Sequence, residues 1–331
     1  MQRFRSALPS INVFRTNHKI AVTSTPYRTL MAGSPTNATS DLSPSSLFSL
    51  QGHVGLVTGG GTGIGLMAAQ ALAAAGAKVY IAGRRREVLE SAAHHWSTGT
   101  EASQGGKLIP VTFDQDDKNS IQQLAKEIGE KEKFLSILVN NAGIAGKSVD
   151  VSKAEKGAEA LSKELWKDDF EDWAQIYRTN VIGHYFNSVA FLPLLSSATD
   201  HHKGFSAGII NITSISGITK DSQNHLNYNV SKGASNHLTN LLAYEFSKVK
   251  IRVNAIAPGY FPSEMTTQKS DDRQKSSIEY DPKTYGEDKG VPAGRPGEDK
   301  DMAQAILLAA TNQYLNGQII AVDGGFLLRH P

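Results

Sequence analysis

No cysteine occurs in the 331 residues. That excludes disulfides, a thiolate nucleophile and any cysteine-held zinc or iron–sulfur centre. The helical pair His-x-x-x-His is also missing. The doublets His94-His95 and His201-His202 read as solvated loop histidines, so no metal site is expected. No apolar run approaches the roughly 20 residues that cross a bilayer, and no membrane partner is expected. Acidic residues are absent from the first forty positions, the first being Asp41. The same stretch carries Arg3, Arg5, Arg15, Lys19 and Arg28, while the whole chain is only +2. The remainder is therefore slightly acidic and gives no reason to expect nucleic-acid binding.

Residues 1–45 show no helical or alternating period and are rich in Ser, Thr, Pro and Asn, so disorder is expected there. A basic, hydroxyl-rich, acid-free leader has the composition of a mitochondrial transit peptide. Two other readings stay open: a tail of no consequence, or an extension upstream of a start at Met31 that leaves a cytoplasmic protein.

From residue 46 to 331 a single α/β pattern runs on with no composition break. Short apolar strands are expected at Val54–Thr58, Lys78–Ala82, Leu108–Phe113, Leu135–Val139, Ile209–Thr213, Ile251–Ile256 and Gln318–Val322. Helical segments fall between them, among them Ile64–Ala75, closed by Gly76, and Ser120–Ile128. Continuous apolar strands alternating with helices predict a parallel sheet covered on both faces, hence one doubly wound Rossmann-type domain. Two polar stretches interrupt the rhythm, a Lys/Glu-rich one with helix-forming character at 145–165 and a charged one at 266–300. The second reads as solvated surface or as a lid over the carboxyl ends of the strands.

Thr58-Gly59-Gly60-Gly61-Thr62-Gly63-Ile64-Gly65 sits where the first strand turns into the first helix. Glycine there lets backbone approach a pyrophosphate, and the helix N-terminus offers free N–H groups with a positive dipole end. At the end of the second strand a carboxylate would grip a ribose 2′-hydroxyl. This chain has Gly83-Arg84-Arg85-Arg86 instead, so a 2′-phosphate is favoured and NADP is the expected cofactor, with Arg84 the best candidate to bind it. Asp114, ending the third strand, can accept a hydrogen bond from the adenine amine. Tyr228 and Lys232 lie four apart, on one face of a helix. A phenol of pKa near 10 is too weak an acid for easy exchange at neutral pH. A lysine ammonium one turn away is expected to lower it.

Taken in order, these motifs resemble the short-chain dehydrogenase/reductase family over roughly Leu50 to Gly325. The remaining marks are Asn140-Asn141-Ala142-Gly143, Asn180, Asn211-Ile212-Thr213-Ser214, Pro258-Gly259 and Val322-Asp323-Gly324-Gly325. The resemblance implies hydride exchange between a nicotinamide and a small carbonyl or secondary-alcohol substrate, with Tyr228 as general acid or base. It implies that Lys232 lowers the tyrosine pKa and binds the nicotinamide ribose. Ser214 would orient the substrate oxygen, Asn180 would hold a water in a relay to Lys232, and Asn141 would contact the adenosine side and brace the sheet. The Phe261 backbone would fix the carboxamide, and Ser263 falls where the family has a carboxamide- or phosphate-binding threonine. Assembly as a homodimer or homotetramer is also implied. Ser214 precedes Tyr228 by fourteen residues, one more than the commonest spacing, which leaves Ser216 as a rival. The interval from Gly143 to Asn180 is also longer than usual, which places an insertion within 145–165.

Tyr260, Phe261 and Met265 suggest a partly apolar pocket, suited to a 3-oxoacyl thioester or a sugar- or polyol-type substrate. The polar stretch at 266–300 argues against a steroid. A non-catalytic NADP(H)-binding sensor or structural protein is the alternative, although such proteins usually lose the Tyr/Lys pair. A nucleotide-sugar epimerase or dehydratase fits poorly, because its glycine spacing usually differs and its C-terminal region is larger.

Overall fold

The computed structural model describes residues 41–99 and 105–330. The expectations for residues 1–40, both disorder and targeting, lie outside the described residues. Pro44–Leu47 form a single helical turn, α1, so the boundary drawn at 45 falls inside an element.

Seven parallel strands make the sheet: β1 (Val54–Thr58), β2 (Lys78–Gly83), β3 (Lys107–Thr112), β4 (Ile137–Asn140), β5 (Gly208–Ile212), β6 (Arg252–Pro258) and β7 (Ile319–Val322). Their spatial order is β3-β2-β1-β4-β5-β6-β7. β1 has the expected bounds, and the other strand ends differ from the sequence-based expectation by at most two residues, where apolar content says little about pairing. Register is continuous across the centre: Val57 pairs with Ile81 on one side and with Val139 on the other.

Both faces of the sheet are buried, which explains why its strands read as unbroken apolar runs. Successive residues alternate between two cores. Val57, Val139 and Ile210 join Leu66 and Leu72 of α2 (Gly63–Ala74) and Met302 and Ile306 of α12 (Asp299–Thr311). Leu56, Leu138 and Ile209 face the other way. They meet Ile121 and Leu124 of α4 (Lys118–Lys131), and Leu242 and Phe246 of α9 (Leu226–Ser247). The remaining helices are α3 (Arg86–Thr98), α5 (Ala158–Leu165), α6 (Phe170–Tyr177), α7 (Gly183–Ala190), α8 (Leu192–His201), α10 (Glu264–Thr267), α11 (Tyr285–Asp288) and α13 (Phe326–Arg329).

The insertion at 145–165 is helical only in its second half. A 3₁₀ turn at Val151–Lys156 precedes α5, and residues 145–150 are irregular. Between α6 and α7 the chain widens into a π-helical stretch, Arg178–Ile182. Such a bulge inside a helix re-aims side chains and is common at functional sites. Here it carries Asn180. The strand order reverses between β1 and β4, and an open α/β sheet binds ligands outside the carboxyl ends of its strands at that switch point. The cleft lies there.

Candidate active site

A cleft of about 600 Å³ opens above the carboxyl ends of β1, β2 and β4. Its floor is the turn from β1 into α2. Gly63 has φ 51°, a left-handed conformation that glycine adopts without a Cβ clash. Gly65 has an ordinary φ but no room: a Cβ there would overlap the Gly59 carbonyl oxygen and the Asn141 amide. A Gly65→Ala substitution must therefore displace fixed backbone. The expected result is a loss of roughly 2–4 kcal/mol of stability together with dinucleotide binding, checked by thermal melts and fluorescence titration with NADPH.

Gly59, Gly61, Thr62, Ile64, Arg84 and Asp114 line the same cleft. Asp114 holds its own turn, with Oδ1 accepting from Asp116 N at 3.0 Å. The three arginines divide their work. Arg85 pairs with Glu264 at 2.6 Å and Arg86 with Glu90 at 2.7 Å. Arg84 has no partner among the described residues and faces the cleft. An unneutralised guanidinium beside a glycine cradle suits a phosphate.

Thr58 and Asn141 are braces. The Thr58 hydroxyl accepts from Asn141 N at 3.0 Å and Ala142 N at 3.2 Å, tying the end of β1 to that of β4. Asn141 Nδ2 donates to the carbonyls of Thr58 at 3.0 Å and Gly59 at 3.1 Å, which fixes the turn from inside.

At the far end of the cleft, Tyr228 stands in the first turn of α9 with Lys232 one turn on. Lys232 Nζ lies 5.5 Å from the phenol ring centroid and donates to the Ile212 carbonyl at 3.0 Å. Ser214 ends the strand-to-helix corner after β5, and its hydroxyl hydrogen-bonds Tyr228. Ser216, the rival, turns away and donates to Gln223 Oε1 at 3.2 Å. Asn180 sits fully buried beneath: Oδ1 accepts from Ile144 N at 2.9 Å, while Nδ2 donates to Ile144 O at 2.9 Å and Ser231 Oγ at 3.1 Å. Its side-chain hydrogens are both engaged, so this amide acts as a brace between the loop after β4 and α9.

Burial, not the neighbouring ammonium, dominates the pKa shifts of this pair. Desolvation pushes the Tyr228 phenol up to about 12, against a smaller lowering by the Ser214 bond. The same dryness brings Lys232 down to about 8. The expected lowering of the phenol pKa by lysine is outweighed by desolvation, because the motif encodes spacing and not dielectric.

Three residues expected at the cofactor, Pro258, Gly259 and Phe261, do not line the cleft. Pro258 ends the buried strand β6, and Gly259 packs against Asp323, where a Cβ would come within 2.8 Å of Cα. Phe261 is buried in the core, and its carbonyl already accepts from Thr266 Oγ1 at 2.9 Å. Ser263 does reach the cleft. It caps α10 and sits over Gly63, so close that a Cβ added to that glycine would lie 2.8 Å from the serine Cβ.

Sequence reading missed the support beneath Ala142. Gln115 donates to the carbonyls of Ala142 at 2.9 Å and Thr179 at 2.7 Å, and its own oxygen accepts from Asn187 at 3.0 Å. His184 Nε2 bonds Ala142 O at 3.0 Å, and burial, then the Lys232 charge, depresses this imidazole to about 3. Polar residues at helical spacing inside the apolar α7, His184, Asn187 and Ser188, were the available signal. The Arg85–Glu264 pair was also missed, since its members are far apart in sequence.

Residues 53–274 match the family described as short chain dehydrogenase. The chain belongs to the short-chain dehydrogenase/reductase family. Among its relatives, the short-chain dehydrogenase/reductase PhomF of Diaporthe leptostromiformis is 37% identical, over 88% of this chain and 97% of its own. The rhamnolipids biosynthesis 3-oxoacyl-[acyl-carrier-protein] reductase of Pseudomonas aeruginosa is 35% identical, over 85% of this chain and 98% of its own. A solved structure, the Pseudomonas aeruginosa RhlG/NADP active-site complex, superposes with a TM-score of 0.70 at 32% identity, covering 85% of this chain and 98% of that one. As a short-chain dehydrogenase/reductase, the protein is an oxidoreductase working between carbonyl and CH–OH groups. No group of three or more possible metal ligands exists among the described residues.

Proposed function

We propose that the protein is an NADP(H)-dependent oxidoreductase that interconverts a carbonyl and a secondary alcohol, with Tyr228 as the proton donor and acceptor. The observation that carries this reading is the polarity of one continuous cleft: an uncompensated Arg84 at one end, Tyr228 and Lys232 at the other. When bound, NADPH supplies the hydride. The chain's own residues do the rest. Gly59, Gly63 and the N-terminus of α2 cradle the pyrophosphate, and Arg84 meets the 2′-phosphate. Ser214 donates to the substrate oxygen and holds it against the Tyr228 hydroxyl. Tyr228, a neutral phenol at physiological pH, releases its proton to the developing alkoxide. Lys232 stabilises the phenolate that remains.

The NADP complex of RhlG supports the cofactor, and a 3-oxoacyl reductase among the relatives supports a 3-oxoacyl thioester substrate, as a galactitol 2-dehydrogenase of 34% identity supports the polyol alternative. Exposed apolar residues on α9, including Leu241 and Tyr244, support assembly into a homodimer or homotetramer.

Arg84→Ala tests the cofactor. Losing a charged hydrogen-bond donor is worth about 1.5–3 kcal/mol, so the NADPH Kd should rise roughly tenfold to a hundredfold while the NADH Kd barely moves. Equal losses for both nucleotides would remove the 2′-phosphate assignment. Turnover is followed as NADPH absorbance against acetoacetyl-CoA, ethyl acetoacetate and fructose, with acetoacetyl-CoA expected to be the best.

A further inference from the structure

Between Ser214 and Tyr228 the chain holds two consecutive non-glycine residues in left-handed backbone, Gln223 at φ 51° and Asn224 at φ 65°. Such backbone is costly and persists only where neighbours fix it, which makes it a marker of functional constraint. Asn224 is fixed by the insertion: its carbonyl accepts from Val149 N at 2.8 Å and its Oδ1 from Val151 N at 3.1 Å. Gln223 is fixed through its amide. Oε1 accepts from Ser216 Oγ at 3.2 Å, and Nε2 donates to Tyr260 Oη at 3.2 Å. Ser216 N in turn donates to Ser214 Oγ at 3.1 Å. One chain of hydrogen bonds thus runs from Tyr260 after β6, through Gln223 before α9, to Ser214 after β5.

The far end of this chain is anchored. Tyr260 packs edge-on against Phe326 at 5.7 Å, and Phe326 is buried in a small cluster with Ile215. At the near end, the bond from Ser216 N occupies one lone pair of the Ser214 oxygen and restricts the rotation of that side chain. Its one hydroxyl hydrogen stays directed toward Tyr228, the side on which a substrate oxygen would be oriented.

We propose that Gln223 is a positioning residue for the reaction: through Ser216 it holds Ser214 in the rotamer that faces Tyr228. This rests on reading Ser214 as the hydroxyl that meets the substrate oxygen. Gln223 is not a catalytic residue, since its amide faces Ser216 and Tyr260. The left-handed backbone aims that amide at two loops at once, which a relaxed loop would not do.

The test uses the full-length enzyme with NADPH and acetoacetyl-CoA, measuring kcat, KM, NADPH Kd and the pH profile of kcat. Gln223→Ala and Ser216→Ala should each lower kcat by about tenfold or more, the scale of a misplaced reacting group, with KM and NADPH Kd nearly unchanged. Because the Ser214 bond lowers the Tyr228 pKa, releasing Ser214 should move the alkaline limb to higher pH. Lys232 on α9, His184 on α7, and Asp221 and His330 near Tyr260 are the charged or titratable groups around these elements, and all are retained in both variants. The double variant should be no worse than either single one, as for links of one chain, and Ser216→Thr should recover most of the loss. A rise in KM at constant kcat would overturn the proposal by making Gln223 a direct substrate contact. Wild-type behaviour of Gln223→Ala beside an inactive Ser214→Ala would also overturn it. Full activity of Ser214→Ala would instead remove the reading beneath it.

Discussion

Tyr228→Phe should retain NADPH binding and lose turnover by at least about a hundredfold, and as much as ten-thousandfold, the range set by removing a general acid. The substitution deletes one oxygen. The ring remains against Lys232 Nζ, 5.5 Å from its centroid. The rest of the cleft, including Asn141 and the glycine turn, does not depend on the hydroxyl. The loss should therefore appear in kcat and in kcat/KM alike, as expected for a contact made in the transition state. A variant with ordinary turnover would remove Tyr228 from the chemistry.

Lys232→Met carries the second large effect, and it works in two directions. Catalysis should fall nearly as severely as in Tyr228→Phe, because the ammonium that stabilises the phenolate is gone. Stability should rise. Lys232 is only 3% exposed, and its amine is pushed from 10.5 down to about 8 by burial. An amine with a depressed folded pKa binds its proton more weakly in the folded than in the unfolded chain. Below about pH 8 it penalises folding, and the penalty fades as pH rises toward 10.5. Its size is about 3 kcal/mol, from which the orphaned Ile212 carbonyl subtracts about 1. The variant should therefore melt about 5 °C higher at pH 7, with the gain shrinking above pH 8. Equal melting of variant and wild type across that range would contradict a buried, costly ammonium. With the predicted gain, the position is one where stability is sacrificed to activity, as buried charges at reaction centres often are.

The pattern of strands, the helix bearing Tyr228 and Lys232, and the glycine turn are all legible in the chain, because each is a local signal. Alternating burial in β1 and β4 follows from a doubly covered sheet, and the i,i+4 face of α9 follows from helical pitch. What is not legible depends on three-dimensional neighbours. Phe261 lies at the expected place along the chain, yet it turns into the core against Gly297. Adjacency in sequence does not say which way a loop residue faces. Arg84, Arg85 and Arg86 look alike as a run. Strand-end position favours Arg84 among them, whereas the ion pairs of its neighbours, with Glu264 and Glu90, emerge only in the fold. The direction of the Tyr228 shift is hidden for the same reason, since a motif places an ammonium near a phenol and says nothing of the water removed around both. His184 and Gln115 escape notice because they hold the Ala142 carbonyl, a backbone atom with no sequence signature.

Isotope transfer bears most directly on the central claim that this cleft delivers hydride to a carbonyl while Tyr228 delivers the proton. With NADPH deuterated at the transferable position and acetoacetyl-CoA, the wild-type protein should yield a 3-hydroxy product carrying deuterium on the carbinol carbon, and Tyr228→Phe should yield almost none. Tight NADPH binding by both proteins, with no labelled alcohol from either one, would contradict the account.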